Sequence, residues 1–204
     1  MKKIFIAFFI FISTLAFSQK IDDVFKTMPN NIVPGLSDGN RTMLLVDTGK
    51  TIIPYPLGEI EKLAYSPDFL KIKTSEIGTT QIKLLPLIND TQIICVVKTV
   101  CGNACDSYIK FYSTDWKELD ANLLLPDISA ESFLDSSKKD TDNYKFAVSL
   151  PDIYPISAEF ENGSNTLKLK LDLTKYLSNE QLAEIKPFIK SETITLTWNN
   201  TSFR

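Results

Sequence analysis

The chain has 204 residues, with 22 Lys and Arg against 25 Asp and Glu, a formal net charge of −3 and no histidine. Its basic residues are scattered, which argues against nucleic acid or anionic lipid as partners. Without histidine, Ser-His-Asp and Cys-His catalysis and the usual zinc and iron sites are excluded. The sequence also lacks a phosphate-binding glycine motif, so we expect no cofactor.

Residues 1–18 have the pattern of a signal peptide. Lys2 and Lys3 precede an apolar segment at 4–15, and Ala16-Phe17-Ser18 forms a cleavage site. The apolar segment is about eight residues too short to span a bilayer as a helix. We therefore expect residues 19–204, with a net charge of −5 after loss of Lys2 and Lys3, to be periplasmic or secreted without an integral membrane segment.

The first mature segment predicts two helices. One has an apolar stripe at helical spacing, formed by Ile21, Val24, Phe25 and Met28. A second helix is expected from an N-cap at Ser37 to Asp47, before Gly49. Prolines and a glycine at residues 54–58 indicate a break in regular structure. Residues 59–65 fit a helical turn or an edge strand equally well.

From Phe69 onward, the apolar residues alternate with a period of two. Four strands in a row are predicted, at about 69–74, 81–84, 91–100 and 107–114, joined by short turns in an antiparallel meander. The third strand is apolar on both faces, which is typical of the middle of a sheet. The link CGNAC predicts a hairpin between the last two strands.

The second half predicts a short helix after Asp127, a polar loop at 135–143 and three strands, at 144–150, 156–160 and 167–173. Asn162-Gly163 is a hairpin signal. Ser178 and Gln181 form a capping box before another helix, and a last strand is expected at 193–198. The predicted fold class is α+β: antiparallel meander sheets with N-terminal and C-terminal helices packed on one face. We expect a single domain at 19–204, with sub-lobes 19–120 and 121–204, two loosely similar tandem halves, as the alternative.

The three cysteines predict one disulfide. Cys101 and Cys105 flank the hairpin turn, whereas Cys95 lies inside the most apolar strand. Separate thiols and a redox-active pair remain alternatives, although a redox pair usually has the spacing CxxC at a helix start. A metal site is disfavoured because two thiols without histidine supply too few soft ligands.

Tyr108, Tyr112 and Trp116 are the candidate binding residues. In a strand they project from the same side and form a flat aromatic surface suited to a protein, peptide or glycan. The alternative, which we favour, is that helices cover this side and the rings belong to the core, because an α+β layer must bury one sheet face.

Carboxylates are the remaining catalytic option. A glycosidase needs two of them facing each other across a cleft. The candidates are Asp22, Asp23, Asp106, Asp115 and Glu118. Residues 140–143 offer oxygen ligands but lack the glycine and glutamate of a calcium loop. Solvated surface carboxylates are the simpler interpretation of both sets.

The segment TVCGNACDSYIKFYSTDW at 99–116 resembles an uncharacterised family of exported proteins found mainly in Bacteroidales. The upstream segments VFKTMPNNIVPGLSDGNR and SPDFLKIK extend the resemblance over most of the mature chain. It implies an exported envelope protein of unknown function, and it brings no catalytic residues.

We therefore expect a non-enzymatic binding or interaction module of the envelope, with another envelope protein, a peptide or a glycan as partner. The alternative is an enzyme, either a carboxylate-based hydrolase or a thiol-disulfide protein that uses Cys101 and Cys105. A structural accessory of a larger envelope assembly is the third hypothesis, and it predicts a large exposed apolar patch.

Overall fold

The structure, a computed structural model, describes residues 19–46, 49–56, 58–161 and 164–204. The α-helices of this part are Ile21–Lys26 (α1), Asp38–Val46 (α2), Tyr144–Val148 (α3) and Asn179–Ile185 (α4). Its strands are Thr51–Tyr55 (β1), Gly58–Ser66 (β2), Phe69–Lys73 (β3), Gly78–Pro86 (β4), Gln92–Cys101 (β5), Cys105–Ser113 (β6), Glu118–Leu119 (β7), Ile156–Phe160 (β8), Thr166–Leu171 (β9) and Thr193–Thr197 (β10).

The strands form two antiparallel sheets. The large sheet has seven strands in the order β1 to β7, so that each strand pairs with its neighbour along the chain. The small sheet has the order β10-β9-β8. This architecture confirms the predicted α+β class with antiparallel meander sheets. None of the helices in the described residues combines the length and the hydropathy that a bilayer crossing requires.

The large sheet is covered on both faces, and each face has its own apolar core. On one face Ile82, Leu84, Ile94 and Val96 pack against α1 and α2. On the opposite face Leu85, Cys95, Val97 and Phe111 pack against the small sheet, α3 and α4. Strands buried on both faces have continuous apolar sequences, which explains the composition of β4 and β5.

The helices are divided between the two faces of the large sheet. The expectation that N-terminal and C-terminal helices share one face is therefore wrong in this detail. Strands β8 to β10 supply a second apolar sheet surface, and α3 and α4 join the core that this surface forms with the large sheet. Of the described α-helices, α1 and α2 alone lie on the other face.

The structure corrects two predicted segments and decides a third. Pro54 and Gly58 of the expected break belong to β1 and β2, which form a hairpin, and Pro56 lies in a turn after β1. The undecided segment at 59–65 is part of β2. Pro54 is tolerated because β1 is an edge strand that needs no donor on its outer side. The segment at 144–150, expected as a strand, forms helix α3 over most of its length. The helix buries Tyr144 and Ala147, which are three residues apart, and leaves Phe146 exposed.

The predicted α4 is confirmed together with its capping box, in which Ser178 and Gln181 exchange hydrogen bonds. The short helix expected after Asp127 is a 3-10 turn, Ala130–Phe133, that begins after Ser129. Residues 1–18 and the turn residues Asn162-Gly163 lie outside the described residues. The hairpin itself is confirmed, because β8 and β9 pair from Ile156↔Leu171 to Phe160↔Leu167.

Arg41 fixes the loop that follows α1. Its buried guanidinium donates to the carbonyl oxygens of Met28 and Lys26, and to Asn30 Oδ1 at 2.7 Å. Charge-assisted hydrogen bonds of this kind are the stronger ones in proteins. They hold the chain between α1 and α2 against the large sheet, where Ile32 is buried in the helix-side core.

Candidate functional site

The hairpin of β5 and β6 carries a row of polar and aromatic side chains on its helix-facing side. Lys98 lies opposite Tyr108, and Val96 lies opposite Lys110. Side chains two residues apart in a strand share a face, so Tyr108 and Lys110 line up with Tyr112. Helix α1 and its loop cover the Tyr112 end of this row and leave the Tyr108 end open.

The structure separates the three aromatic residues predicted as a binding face. Tyr112 is only 8% exposed, and its ring centroid lies 5.5 Å from that of Trp116. Trp116 Nε1 donates to Val24 O at 3.1 Å, so these two rings anchor α1. Tyr108 is 60% exposed. Of the three, Tyr108 is therefore the residue best placed to meet a ligand.

Tyr108 belongs to a groove of about 260 Å³. We name it the lysine–tyrosine groove and define it by the residues that line it: Asn31, Ile32, Val96, Lys98, Tyr108, Lys110, Tyr112 and Glu118. One wall is the loop held by Arg41, and the floor is the hairpin of β5 and β6. Both the wall and the floor therefore consist of backbone that is held by hydrogen bonds.

The two lysines of the groove differ in their partners. Lys110 Nζ lies 2.7 Å from the Glu118 carboxylate and 5.6 Å from the centroid of the Tyr108 ring. The hydrogen bond from Lys110 to Glu118 raises the pKa of Lys110. Among the residues that the structure describes, the ammonium group of Lys98 has neither a carboxylate partner nor a hydrogen-bond acceptor.

Lys98 is half-buried, and burial lowers the pKa of its ammonium group. The positive charge of Lys110 lowers it further. A partly desolvated ammonium without a counter-ion gains from an anion that enters beside it, because opposite charges favour each other's charged forms. The groove therefore combines an unpaired cation with an exposed phenol ring.

The carboxylates considered for catalysis are occupied in structural contacts or exposed. Asp22 accepts a hydrogen bond from Tyr65 Oη at 2.6 Å, and Asp106 accepts one from Ile156 N at 3.0 Å. Glu118 binds Lys110. Ser113 and Lys117 hydrogen-bond Asp115 and lower its pKa to about 2, while Asp23 is exposed. The described residues contain no group of three or more His, Cys, Asp and Glu that could hold a metal ion.

The cysteines lie at two depths in the same hairpin. The Sγ atoms of Cys101 and Cys105 are 2.04 Å apart, the distance of a disulfide bond. Cys95 is fully buried in β5, and burial raises the pKa of its thiol. A buried thiol with a raised pKa is a poor nucleophile. Burial therefore disfavours thiolate chemistry at Cys95 in the folded protein.

Sequence reasoning missed Lys98, Lys110 and the loop residues Asn31 and Ile32. One signal for Lys98 was present, since it interrupts the apolar run IICVVKTV of a strand that is otherwise buried. A lysine inside such a run usually has a carboxylate partner or reaches solvent. Its lack of a partner depends on the fold and is not visible in the sequence.

Comparison with known proteins gives a family and a fold. A family model described as "Protein of unknown function (DUF3256)" matches residues 13–203. A solved structure described as "Structure of a domain of an uncharacterized protein from Porphyromonas gingivalis W83" superposes with a TM-score of 0.81. It is 22% identical, over 92% of this chain and 98% of that one, which shows a common fold. No curated protein matches the chain.

Proposed function

The chain belongs to the family described as "Protein of unknown function (DUF3256)", and we propose that it is an exported, non-enzymatic binding module that holds an acidic glycan in the lysine–tyrosine groove. The observation that carries this proposal is Lys98, a half-buried ammonium group without a partner in the described chain, beside the exposed ring of Tyr108. The signal-peptide pattern at residues 1–18 supports export.

The shape of the groove supports a small anionic group attached to a larger molecule. A volume of about 260 Å³ accommodates a single sugar ring rather than a drug-sized ligand. The Lys98 ammonium would bind a uronic acid carboxylate, and the Tyr108 ring would pack on the apolar face of the sugar. Neighbouring sugars would extend over the open end of the hairpin.

The same groove argues against hydrolysis of that sugar. Glycoside hydrolysis needs two carboxyl groups on either side of the scissile bond. Of the described residues that line the groove, Glu118 alone is a carboxylate, and it is bound to Lys110. Binding without cleavage is therefore the activity that these residues support.

The test is a titration of the protein with trigalacturonic acid, followed by amide NMR shifts and calorimetry. Lys98→Met keeps the apolar stem and removes the charge, so we expect affinity to fall at least tenfold; Tyr108→Ala should have a similar effect. Lys168→Met, at an exposed position of β9, is the matched control and should stay within twofold. The neutral sugar maltotriose should not bind. Equal binding by the Lys98→Met variant, or by maltotriose, would contradict the proposal.

A further inference from the structure

Strand β6 has an outer edge that is only partly paired. Strand β7 pairs with Phe111 and Tyr112 and ends at Leu119. The N–H of Ser113 donates to Lys117 O at 2.9 Å, away from β5, so the backbone groups of Ile109 and Ser107 also point outward by alternation. Within the described residues, no strand pairs with Ser107 or Ile109 on this side.

Strand β8 lies near this edge without completing it. Its own N–H groups are bound by side chains of β6: Ile156 N donates to Asp106 Oδ1 at 3.0 Å, and Ala158 N donates to Ser107 Oγ at 2.8 Å. The backbone of Ser107 and Ile109 takes no part in these contacts. An unpaired strand edge of this kind is a template for the addition of another strand.

A cavity of about 320 Å³ opens beside the unpaired edge. Its walls are mostly apolar and include Ile109, Leu125, Pro126, Ile128, Ile156 and Leu169. Ile109 therefore belongs both to the edge and to the wall. A strand added here would point one side chain out of every two into the cavity, because side chains alternate along a strand.

The charged side chains of the cavity wall are acidic. Asp106 and Asp127 both line the cavity and are exposed, and in the described part of the chain neither forms an ion pair. Among the described residues that line the cavity there is no lysine or arginine. Aliphatic and basic side chains are thus the ones that these surroundings favour.

We propose that the outer edge of β6 is a strand-addition site for an extended peptide. The peptide pairs with Ile109, places an aliphatic side chain in the cavity, and carries lysine or arginine two residues away, on the same face, where Asp106 and Asp127 meet it. This site is distinct from the lysine–tyrosine groove, which is formed by the helix-facing side of the same strand. The peptide site adds a second ligand class to the proposed glycan-binding function.

The probe is the peptide acetyl-Lys-Thr-Val-Thr-Lys-amide, with valine opposite Ile109 in an antiparallel pair, the arrangement of all paired strands in the large sheet. Titrated into 15N-labelled protein, it should shift the amide signals of Ser107 and Ile109 and slow the hydrogen exchange of Ile109. A peptide N-methylated at valine loses the paired N–H and should bind at least tenfold weaker. The peptide with glutamate in place of lysine should also bind at least tenfold weaker. The proposal would be overturned if the probe did not bind at millimolar concentration, or if the N-methylated peptide bound equally well. It would also be overturned if the probe protected the amide of Thr195 in β10 from hydrogen exchange instead of that of Ile109.

Two matched variants locate the binding. Ala121 lines the cavity, and Ala121→Leu should fill it and weaken the probe at least tenfold. Leu123 is 76% exposed in the same 3-10 turn, Ala121–Leu123, and lies outside the cavity, so Leu123→Ala should bind within twofold of wild type. If Ala121→Leu does not fold, Asp127→Asn at the exposed rim should weaken the probe at least threefold. Unchanged binding in the folded cavity variants would overturn the site, whereas trigalacturonic acid binding tests the groove separately.

Discussion

Gln81 of β4 binds the backbone of Phe160 of β8, across the boundary between the two sheets. Its Oε1 accepts from Phe160 N at 3.0 Å, and its Nε2 donates to Ala158 O at 3.2 Å. The amide thus offers one donor and one acceptor, as a peptide group of a neighbouring strand would. Together, Gln81, Asp106 and Ser107 bind three N–H groups and one carbonyl group on the free edge of β8, where a further strand would otherwise pair.

We expect Gln81→Ala to lower the free energy of unfolding by about 3 kcal/mol. Gln81 is 1% exposed, so the truncation leaves two buried backbone groups unpaired as well as a small cavity. Urea denaturation measures the change. Gln92→Ala, at the half-exposed start of β5, is the control and should change the value by less than about 0.5 kcal/mol. A loss below 1 kcal/mol for Gln81→Ala would show that the small sheet does not depend on this contact.

The ion pair between Lys83 and Asp68 should respond unequally to removal of its two partners. Lys83 is buried in the large sheet, and its Nζ lies 2.6 Å from Asp68 Oδ2. Asp68→Asn leaves a buried ammonium without its counter-charge, and we expect a loss of about 2 kcal/mol after allowance for the half-exposed carboxylate. Lys83→Met replaces the charge by an apolar chain of similar size and should stay within about 1 kcal/mol. Urea denaturation measures both changes, and an equal loss of unfolding free energy in Asp68→Asn and Lys83→Met would contradict this interpretation.

Asp68 should also contribute to acid sensitivity. Burial acts to raise its pKa, but hydrogen bonds from Lys83 and Ser66 outweigh burial and hold the pKa below the ordinary value of 3.8. The folded state therefore binds this proton less readily than the unfolded state. The stabilisation is complete above about pH 4 and is lost as the pH falls through the lower, folded pKa. Between pH 5 and pH 2, the free energy of unfolding, measured by urea denaturation at each pH, should change less with pH for Asp68→Asn than for wild type. An equal change in the two proteins would exclude this contribution.

Tyr65 should ionise later than an exposed tyrosine. Its hydroxyl donates to Asp22 at 2.6 Å, and this hydrogen bond, followed by burial, raises the pKa of Tyr65 to about 12. The resulting stabilisation is complete below pH 10 and is lost as the pH rises through about 12. Asp22→Asn should move the pKa back toward 10, as measured by tyrosinate absorbance with Tyr65→Phe for assignment. Asp23→Asn, at the exposed neighbour, should leave it unchanged; an equal effect of both variants would contradict the role of Asp22.

The Cys101–Cys105 bridge should have a small effect on stability. It closes a loop of about five residues, for which the entropic stabilisation is at most about 2 kcal/mol. We expect the double variant Cys101→Ser, Cys105→Ser to unfold at slightly lower urea and to keep trigalacturonic acid binding. The glycan titration described above measures the second point. Loss of ligand binding in a folded double variant would instead assign the bridge a functional role.

Sequence patterns predicted the elements whose information is local. The two-sided apolar run around Cys95 identified the central strand, and the alternation after Cys105 identified its partner. The Ser178 capping box identified α4, since the signal consists of two side chains and the adjacent backbone. In each case the residues that decide the structure are close together along the chain.

The elements that were missed depend on distant parts of the chain. Pro54 is acceptable in β1 because that strand is at the edge of the sheet, which is a property of the sheet order. Residues from Tyr144 onward alternate as in a strand, yet the core reached by Ala147 selects a helix. The lysine–tyrosine groove was missed for the same reason, because it exists where the cover over the β5–β6 hairpin stops short of Tyr108.

The depth of Cys95 has a consequence for the order of events during oxidative folding. An unfolded chain with three thiols can form any of three pairs, or a covalent dimer through the thiol left over. Once β5 is enclosed, Cys95 can no longer meet an oxidant or another chain. We therefore expect closure of the sheet to select the Cys101–Cys105 pair, because a disulfide at Cys95 would have to fit into a fully buried position, whereas a bond between Cys101 and Cys105 lies at the end of the hairpin.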